Sequence, residues 1–207
     1  MNTAPKNKRA PGRPKRKEDD LPIDHMILRI ASKLFMDYGY EAVSLQQISK
    51  ACGVTKASIY YYFENKSQLF TASITATMAQ ARIHTQRIME QSAPLMDRLR
   101  KLAEVKLANP HGEFETIMRE ARPSHSPEQL QEILSSEEAI HDVLIECFQQ
   151  SMDTGEIRSG NTLFLAHTFS SLLMLGNREV TEDYNHSYAN LAQEIIDFFW
   201  NGVAPKE

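Results

Sequence analysis

From Ile23 onward the apolar residues recur with a helical period. Ile23, Met26, Ile27, Ile30, Ala31, Leu34, Phe35 and Tyr38 follow i, i+3, i+4, i+7, i+8 spacing, which lines one face of a helix. Gly39 predicts its end, as a left-handed cap. Ser44 with Gln47 makes a capping-box pattern that starts a second helix, from which Ile48 and Ala51 are expected to point inward. Gly53 permits the positive φ of a tight turn. Thr55 caps a third, short helix, and Asn65 with Gln68 marks a fourth start. Short helices joined by a glycine-containing turn of about four residues form a helix-turn-helix pattern.

The remainder also reads as helix. Phe70, Ile74, Thr77, Met78, Ala81, Ile88 and Met89 stripe a segment of about six turns that Ala93-Pro94 breaks. A helix over Leu95 to Leu107 is closed by Asn109-Pro110-His111-Gly112, and Phe114, Ile117, Met118 and Ala121 make a short one before Pro123. Ser126-Pro127-Glu128-Gln129 combines Pro at N1 with a capping box, and a helix near 137–153 ends at Gly155. The last two helices are expected at about 161–176 and 185–201. No segment alternates as a strand would, and no repeat is visible, so the fold class is all-α.

The final pair is unusually apolar. "TLFLAHTFSSLLMLG", Thr162 to Gly176, is apolar or small almost all round, as in a helix covered on more than one side. It is too short to cross a bilayer. Tyr188, Leu191, Ala192, Ile195, Ile196, Phe199 and Val203 stripe the last helix, with Phe198 and Trp200 widening its face. One face can pack on its own chain and the other on a second copy across a two-fold axis; a fully internal pair in a larger bundle is the alternative. The candidate dimer residues are Leu165, Phe169, Leu172, Leu173, Ile195 and Phe199.

Charge separates the two parts of the chain. Residues 1–70 hold 12 Lys and Arg against 7 Asp and Glu, net +5; residues 71–207 hold 11 against 20, net −9. A basic first third on an acidic remainder suits a polyanion met at one end. Residues 1–20 read as a flexible basic arm. Within it "PGRPKRK", Pro11 to Lys17, resembles an AT-hook core, so Arg13 is a candidate for a minor groove; a solubilising tail is the other reading. Cys52 and Cys147 lie far apart and in no paired motif, which disfavours a disulfide framework or zinc site and fits a reducing cytoplasm. No signal segment or membrane span is visible.

The stretch "TKASIYYYFENK", Thr55 to Lys66, places four aromatic residues in a row. At 100° per residue, Ile59 and Phe63 fall on one side, with Thr55 and Tyr62 at its edge. Ala57, Tyr60 and Tyr61 fall opposite, flanked by Lys56 and Ser58. That outward face suits a DNA groove: a tyrosine hydroxyl can donate to phosphate and its ring can press on sugar or a thymine methyl. Lys66, Ser44 and Thr55 stand at helix N-termini that favour phosphate. A tyrosine-rich packing seam is the competing reading.

Residues from about Gly39 to Leu69, "GYEAVSLQQISKACGVTKASIYYYFENKSQL", resemble the DNA-binding signature of the tetracycline-repressor (TetR) family of bacterial regulators. Gly39, Ile48, Gly53, Val54, Thr55, Ile59, Tyr60, Phe63, Lys66 and Leu69 carry the match. Ser49 and Cys52 stand where Ala is usual, Ala57 where Gly is common, and Tyr62 often is His. The resemblance implies an N-terminal three-helix helix-turn-helix domain (21–68) and a C-terminal helical ligand-binding and dimerisation domain (69–207), after the arm. It also implies a homodimer closed by the last two helices, a double-stranded DNA operator of near-palindromic sequence, and a small-molecule effector that releases it.

The regulatory half carries no motif of its own. Its methionines suit an adaptable apolar cavity, and "FETIMREARPSHS" sets Phe114, Ile117, Met118 and Ala121 on one face with Arg119, Arg122 and His125 as cations. An anionic amphipathic ligand fits that pattern, as does a solvated surface helix. Candidate pocket residues are Met78, Met89, Phe114, Met118, Arg122 and Phe148. No two of the seven histidines stand at i, i+3 or i+4, so no helical metal pair is expected, nor a cofactor or enzyme site. The leading expectation is a cytoplasmic repressor. An architectural or cell-division DNA-binding protein controlled by a protein partner is the alternative, and a helical carrier or enzyme with a vestigial reading head a further one.

Overall fold

The computed structural model of the chain describes residues 22–108, 114–174 and 188–205. Arg13 with the rest of the arm, and the closing segment Asn109 to Gly112, lie outside them. Among the described residues there are nine α-helices: α1 Ile23–Tyr38, α2 Leu45–Cys52, α3 Lys56–Tyr62, α4 Lys66–Met89, α5 Leu95–Leu107, α6 Phe114–Ala121, α7 Pro127–Asp153, α8 Thr162–Leu173 and α9 Tyr188–Val203. A 3-10 turn, Arg122–Ser124, joins α6 to α7.

The caps form where the sequence places them. Ser44 and Gln47 close a reciprocal capping box on α2, Ser126 and Gln129 do the same on α7, and Thr55 and Asn65 accept from the backbone N–H groups of Ser58 and Gln68. Each satisfies amide donors that a helix start leaves without an internal partner. Pro94 cannot cap α5 this way; instead the Glu156 carboxylate, from the loop after α7, accepts from the Leu95 N–H. That carboxylate also takes Arg98 Nη2 at 3.4 Å and Ser151 Oγ at 3.3 Å, while Arg98 Nη1 donates to the Met89 carbonyl at 2.6 Å. One carboxylate thereby fixes the α4–α5 corner to the end of α7.

Two cores are built, and α4 serves both. The first gathers Ile27, Ala31 and Phe35 of α1, Ile48 of α2, Ile59 of α3, and Leu69, Phe70 and Ile74 of α4, joined by Ile117, Ala121 and Ile133. The second gathers Ile88 and Met89 from the far end of α4 with Leu99, Leu102, Phe148, Phe169, Ile196 and Phe199 from α5, α7, α8 and α9. α7 is shared likewise, Ile133 entering the first and Val143, Leu144 and Phe148 the second. Between them α4 turns polar: Thr77 Oγ1 bonds to Ser32 Oγ at 2.7 Å and to the Ser73 carbonyl at 2.9 Å.

Several expectations are corrected. Gly39 ends α1 with positive φ, but at φ 83° and ψ 165° it lies outside the left-handed helical region that a cap of the expected kind would occupy. Ala51 is exposed, because the short α2 turns Leu45, Ile48, Ser49 and Cys52 inward instead. The helix expected near 137–153 starts a full ten residues earlier, at Pro127, because its own capping signal is followed by no breaker.

The Gly39 backbone conformation is one that only glycine adopts readily, and a Cβ there would stand 2.8 Å from Glu120 Oε2. Gly39→Ala is expected to destabilise the fold by about 1–3 kcal/mol, read as a lowered urea midpoint.

Candidate nucleic-acid interface and the cavity behind it

α3 is short and amphipathic in the aromatic sense. Ile59 is fully buried and Phe63, its C-cap, nearly so, whereas Tyr60 is 48 %, Tyr62 38 % and Tyr61 81 % exposed. Lys56 and Ala57 are exposed and Ser58 is intermediate. The outward face is therefore Lys56, Ala57, Tyr60 and Tyr61, as their angular positions require. Ring contacts order it: Tyr61 meets Tyr62 edge-on at 4.9 Å and the Lys56 ammonium stands 5.6 Å from the Tyr60 ring centre. At its start the Thr55 and Ser58 hydroxyls are 2.8 Å apart. Ser44 is exposed at the start of α2, with its hydroxyl given to Gln47 Oε1 at 2.7 Å.

Lys66 behaves differently from a simple phosphate-facing lysine. Its ammonium lies 4.2 Å over the Tyr40 ring and reaches the Glu41 carbonyl at 3.4 Å. Burial lowers its pKa, with Glu41 and Glu120 acting the other way. Part of its charge is engaged within the protein.

These residues lie on three helix starts around one turn-linked pair of helices. A family model for bacterial regulatory proteins of the tetR family matches residues 27–72, spanning this whole arrangement. That segment carries the DNA-binding module of the TetR family. It is 30 % identical over 76 residues to the Bacillus subtilis HTH-type transcriptional regulator YhgD, the match covering 37 % of this chain and 40 % of that protein. It is 38 % identical over 48 residues to the Staphylococcus epidermidis negative regulator of the icaADBC biofilm operon, IcaR, covering 23 % and 26 %. The chain thus matches well under half the length of these curated relatives. The fold similarity reaches further. The transcriptional regulator FadR of Bacillus subtilis, solved with stearoyl-CoA, superposes with a TM-score of 0.67 at 17 % identity over 86 % of this chain and 98 % of that one.

This TetR-like helix-turn-helix unit rests on α6 and the turn after it. The Glu41 N–H donates to Glu120 Oε2 at 3.4 Å. His125 packs against Tyr40 and Phe70, ring centres 5.2 and 5.1 Å away, and those two rings stand 5.0 Å apart. Its Nδ1–H donates to the Ala121 carbonyl at 2.7 Å, and its Nε2 is buried with no partner. Burial raises the Tyr40 pKa, against a hydrogen bond from Ser124. His125 is therefore part of this junction and not a ligand-facing cation.

The opposite side of α6 borders a cavity of about 460 Å³. α6 contributes Phe114, Glu115, Met118 and Arg119, with Arg122 following. α7 contributes Leu130, Leu134 and Glu137. Of the expected pocket residues, Phe114, Met118 and Arg122 line it. Met89 and Phe148 do not: both are sealed in the second core, Phe148 with no exposure at all. Met78 packs against the first core. Glu115 and Glu137 were not foreseen, since nothing in their spacing links α6 to the middle of α7.

The dimer candidates need a similar correction. Phe169, Ile195 and Phe199 are buried within the protomer, where the Phe199 ring meets those of Phe148 and Phe169 at a tilt, centres 5.8 and 5.1 Å away. Leu165, Leu172 and Leu173 are half-buried at the edge. The exposed large apolar side chains on α8 and α9 are Leu163, Phe164, Tyr188 and Phe198, with Met174 at the end of α8; Phe198 is the most exposed, at 70 %.

No helix among the described residues is long and apolar enough to cross a membrane, and no group of three metal-ligating side chains occurs among them. Titratable groups do gather where α7 meets α8. The His141 and His167 rings lie 4.5 Å apart, and burial first, then His167, lowers the His141 pKa below its ordinary 6.5. A depressed histidine lets the unfolded chain take up the proton first, so stability is complete above 6.5 and falls as pH drops through the lowered value. His141→Gln is expected to make the decline of the urea midpoint between pH 7.5 and 5 shallower.

Proposed function

We propose that the chain is a transcriptional repressor that binds a near-palindromic DNA operator as a homodimer and releases it when a small amphipathic effector occupies the regulatory half. Residues 21–68 form the reading head and residues 69–207 the regulatory part, with the basic arm preceding both. The observation that carries the reading is the outward set Lys56, Ala57, Tyr60 and Tyr61 on a helix whose other face is anchored by Ile59.

A methyl group between two tyrosines leaves a low surface that can approach a major-groove floor, and each phenol can donate to a phosphate or press on a base methyl. Ser44 and Thr55 mark two further helix N-termini for the backbone, and Arg13 is assigned to the minor groove. Lys66 orders Tyr40 and Glu41 beneath the head and adds positive potential near the phosphates. Two such heads, related by a two-fold axis, would read half-sites about 34–36 Å apart.

Dimerisation is supported by the outward apolar face of α8 and α9. Leaving Phe164 and Phe198 in water is unfavourable, and a second copy of the same face covers them. Effector control is supported by α6, which borders the cavity on one side and holds Glu41 and Tyr40 on the other. FadR, of similar fold, was solved with an acyl-CoA, which suits a partly apolar ligand here. The work of such a protein is in the cytoplasm, where its DNA is.

Tyr61→Ala is expected to weaken binding to a selected DNA fragment by about 10- to 100-fold, measured by fluorescence anisotropy, with one short protected palindrome in the wild-type footprint. Unchanged affinity, or many scattered footprints, sinks the groove assignment or the operator reading. Phe198→Glu is expected to shift the sedimentation profile from dimer to monomer while α-helical circular dichroism is kept.

A further inference from the structure

The cavity between α6 and α7 has charge of both signs, held at opposite ends. Glu115 and Glu137 stand at one end, where the Glu115 charge adds to burial in raising the pKa of the half-buried Glu137. Arg122 opens the 3-10 turn at the other end, and Arg119 lies one turn of helix before it. Seven residues of helix separate Glu115 from Arg122, about 10 Å at the helical rise. Apolar side chains, Met118 and Leu134 among them, line the space between.

These charges are not spent on one another. Among the described residues no ion pair joins either glutamate to either arginine, and Arg119 reaches only the Thr116 hydroxyl, at 3.5 Å. Glu115 and Arg119 are spaced for an i, i+4 pair, but an exposed pair of that kind is too weak to hold either charge against a ligand. Burial, Glu115 and Glu138 raise the Glu137 pKa, with His167 opposing them, so a cation brought to that end would relieve a cost already present in the folded chain. A simple fatty anion would place its charge well at the arginines and leave the two carboxylates against its apolar tail. A simple amphipathic cation would meet the reverse fault. A cavity of about 460 Å³ lies within the range of ordinary small-molecule sites.

We propose that this cavity takes a bipolar ligand: an organic cation held by Glu115 and Glu137, joined through an apolar body about 10 Å long to an anionic group held by Arg119 and Arg122. For its consequence at DNA the proposal rests on the effector reading above; the occupancy itself does not.

Isothermal titration of the full chain with 8-aminooctanoate, octanoate and octylammonium tests the class, because the three probes share a chain length and differ only in their ends. The bipolar probe is expected to bind at least tenfold more tightly than either single-ended one. Glu137→Gln and the exposed Arg122→Gln are each expected to lose about tenfold for it, with circular dichroism and thermal unfolding confirming the fold of both variants. Equal or tighter binding of octanoate or octylammonium overturns the proposal, as does no binding of any probe, or affinity unchanged in both variants. A selected DNA fragment added to the same titration separates the two readings. A bound bipolar probe that leaves DNA in place sinks effector control and keeps the ligand class; release of DNA by octanoate or octylammonium alone sinks the ligand class and keeps effector control.

Discussion

The fold depends on α4 and α7 each serving two cores at once. α4 enters the first through Leu69, Phe70 and Ile74 and leaves through Ile88 and Met89 in the second. A continuous helix of 24 residues packed at both ends couples them, because interiors packed to crystal-like density shift as units. The polar middle of α4, with Thr77 tied to Ser32, is where the buried face changes over. The reading head is consequently fastened at Phe70, in a knot of rings with Phe35, Tyr40 and His125.

The local rules were largely legible in the sequence. The side-chain caps at helix starts formed, because such a cap needs only a side-chain oxygen and an amide two or three residues on; the left-handed cap expected at Gly39 did not. The outward face of α3 followed from angular position alone, since Ile59 leaves a seven-residue helix little choice of rotation. Which apolar face met which partner was harder. Phe169, Ile195 and Phe199 have the right period for an interface, but periodicity marks a buried face without saying whether the same chain or another covers it. Met89 and Phe148 failed as pocket residues for the same reason. Glu115 and Glu137, 22 positions apart, come together only because α6 and α7 face one cavity.

The junction between head and regulatory part is polar at its rim and aromatic inside. Glu120 accepts from the Glu41 N–H while Lys66 stands over Tyr40. Such contacts between partly exposed groups are individually weak; the rings beneath supply the packing. His125, with its Nδ1 proton committed to Ala121 and Nε2 left bare, fills the seam at the cost of an unmet acceptor. The helix that frames the cavity is thus also a wall of the first core, through Ile117 and Ala121.

That shared wall makes influence run both ways. Whatever free energy a molecule in the cavity exerts on the seat of Tyr40 and Glu41, duplex bound at α3 must exert on the cavity in equal measure. On the proposed effector reading, the strength of the small molecule's hold is accordingly not a fixed property of its lining: it would differ between protein on and off its nucleic acid, by the same factor that the small molecule changes the grip on that nucleic acid.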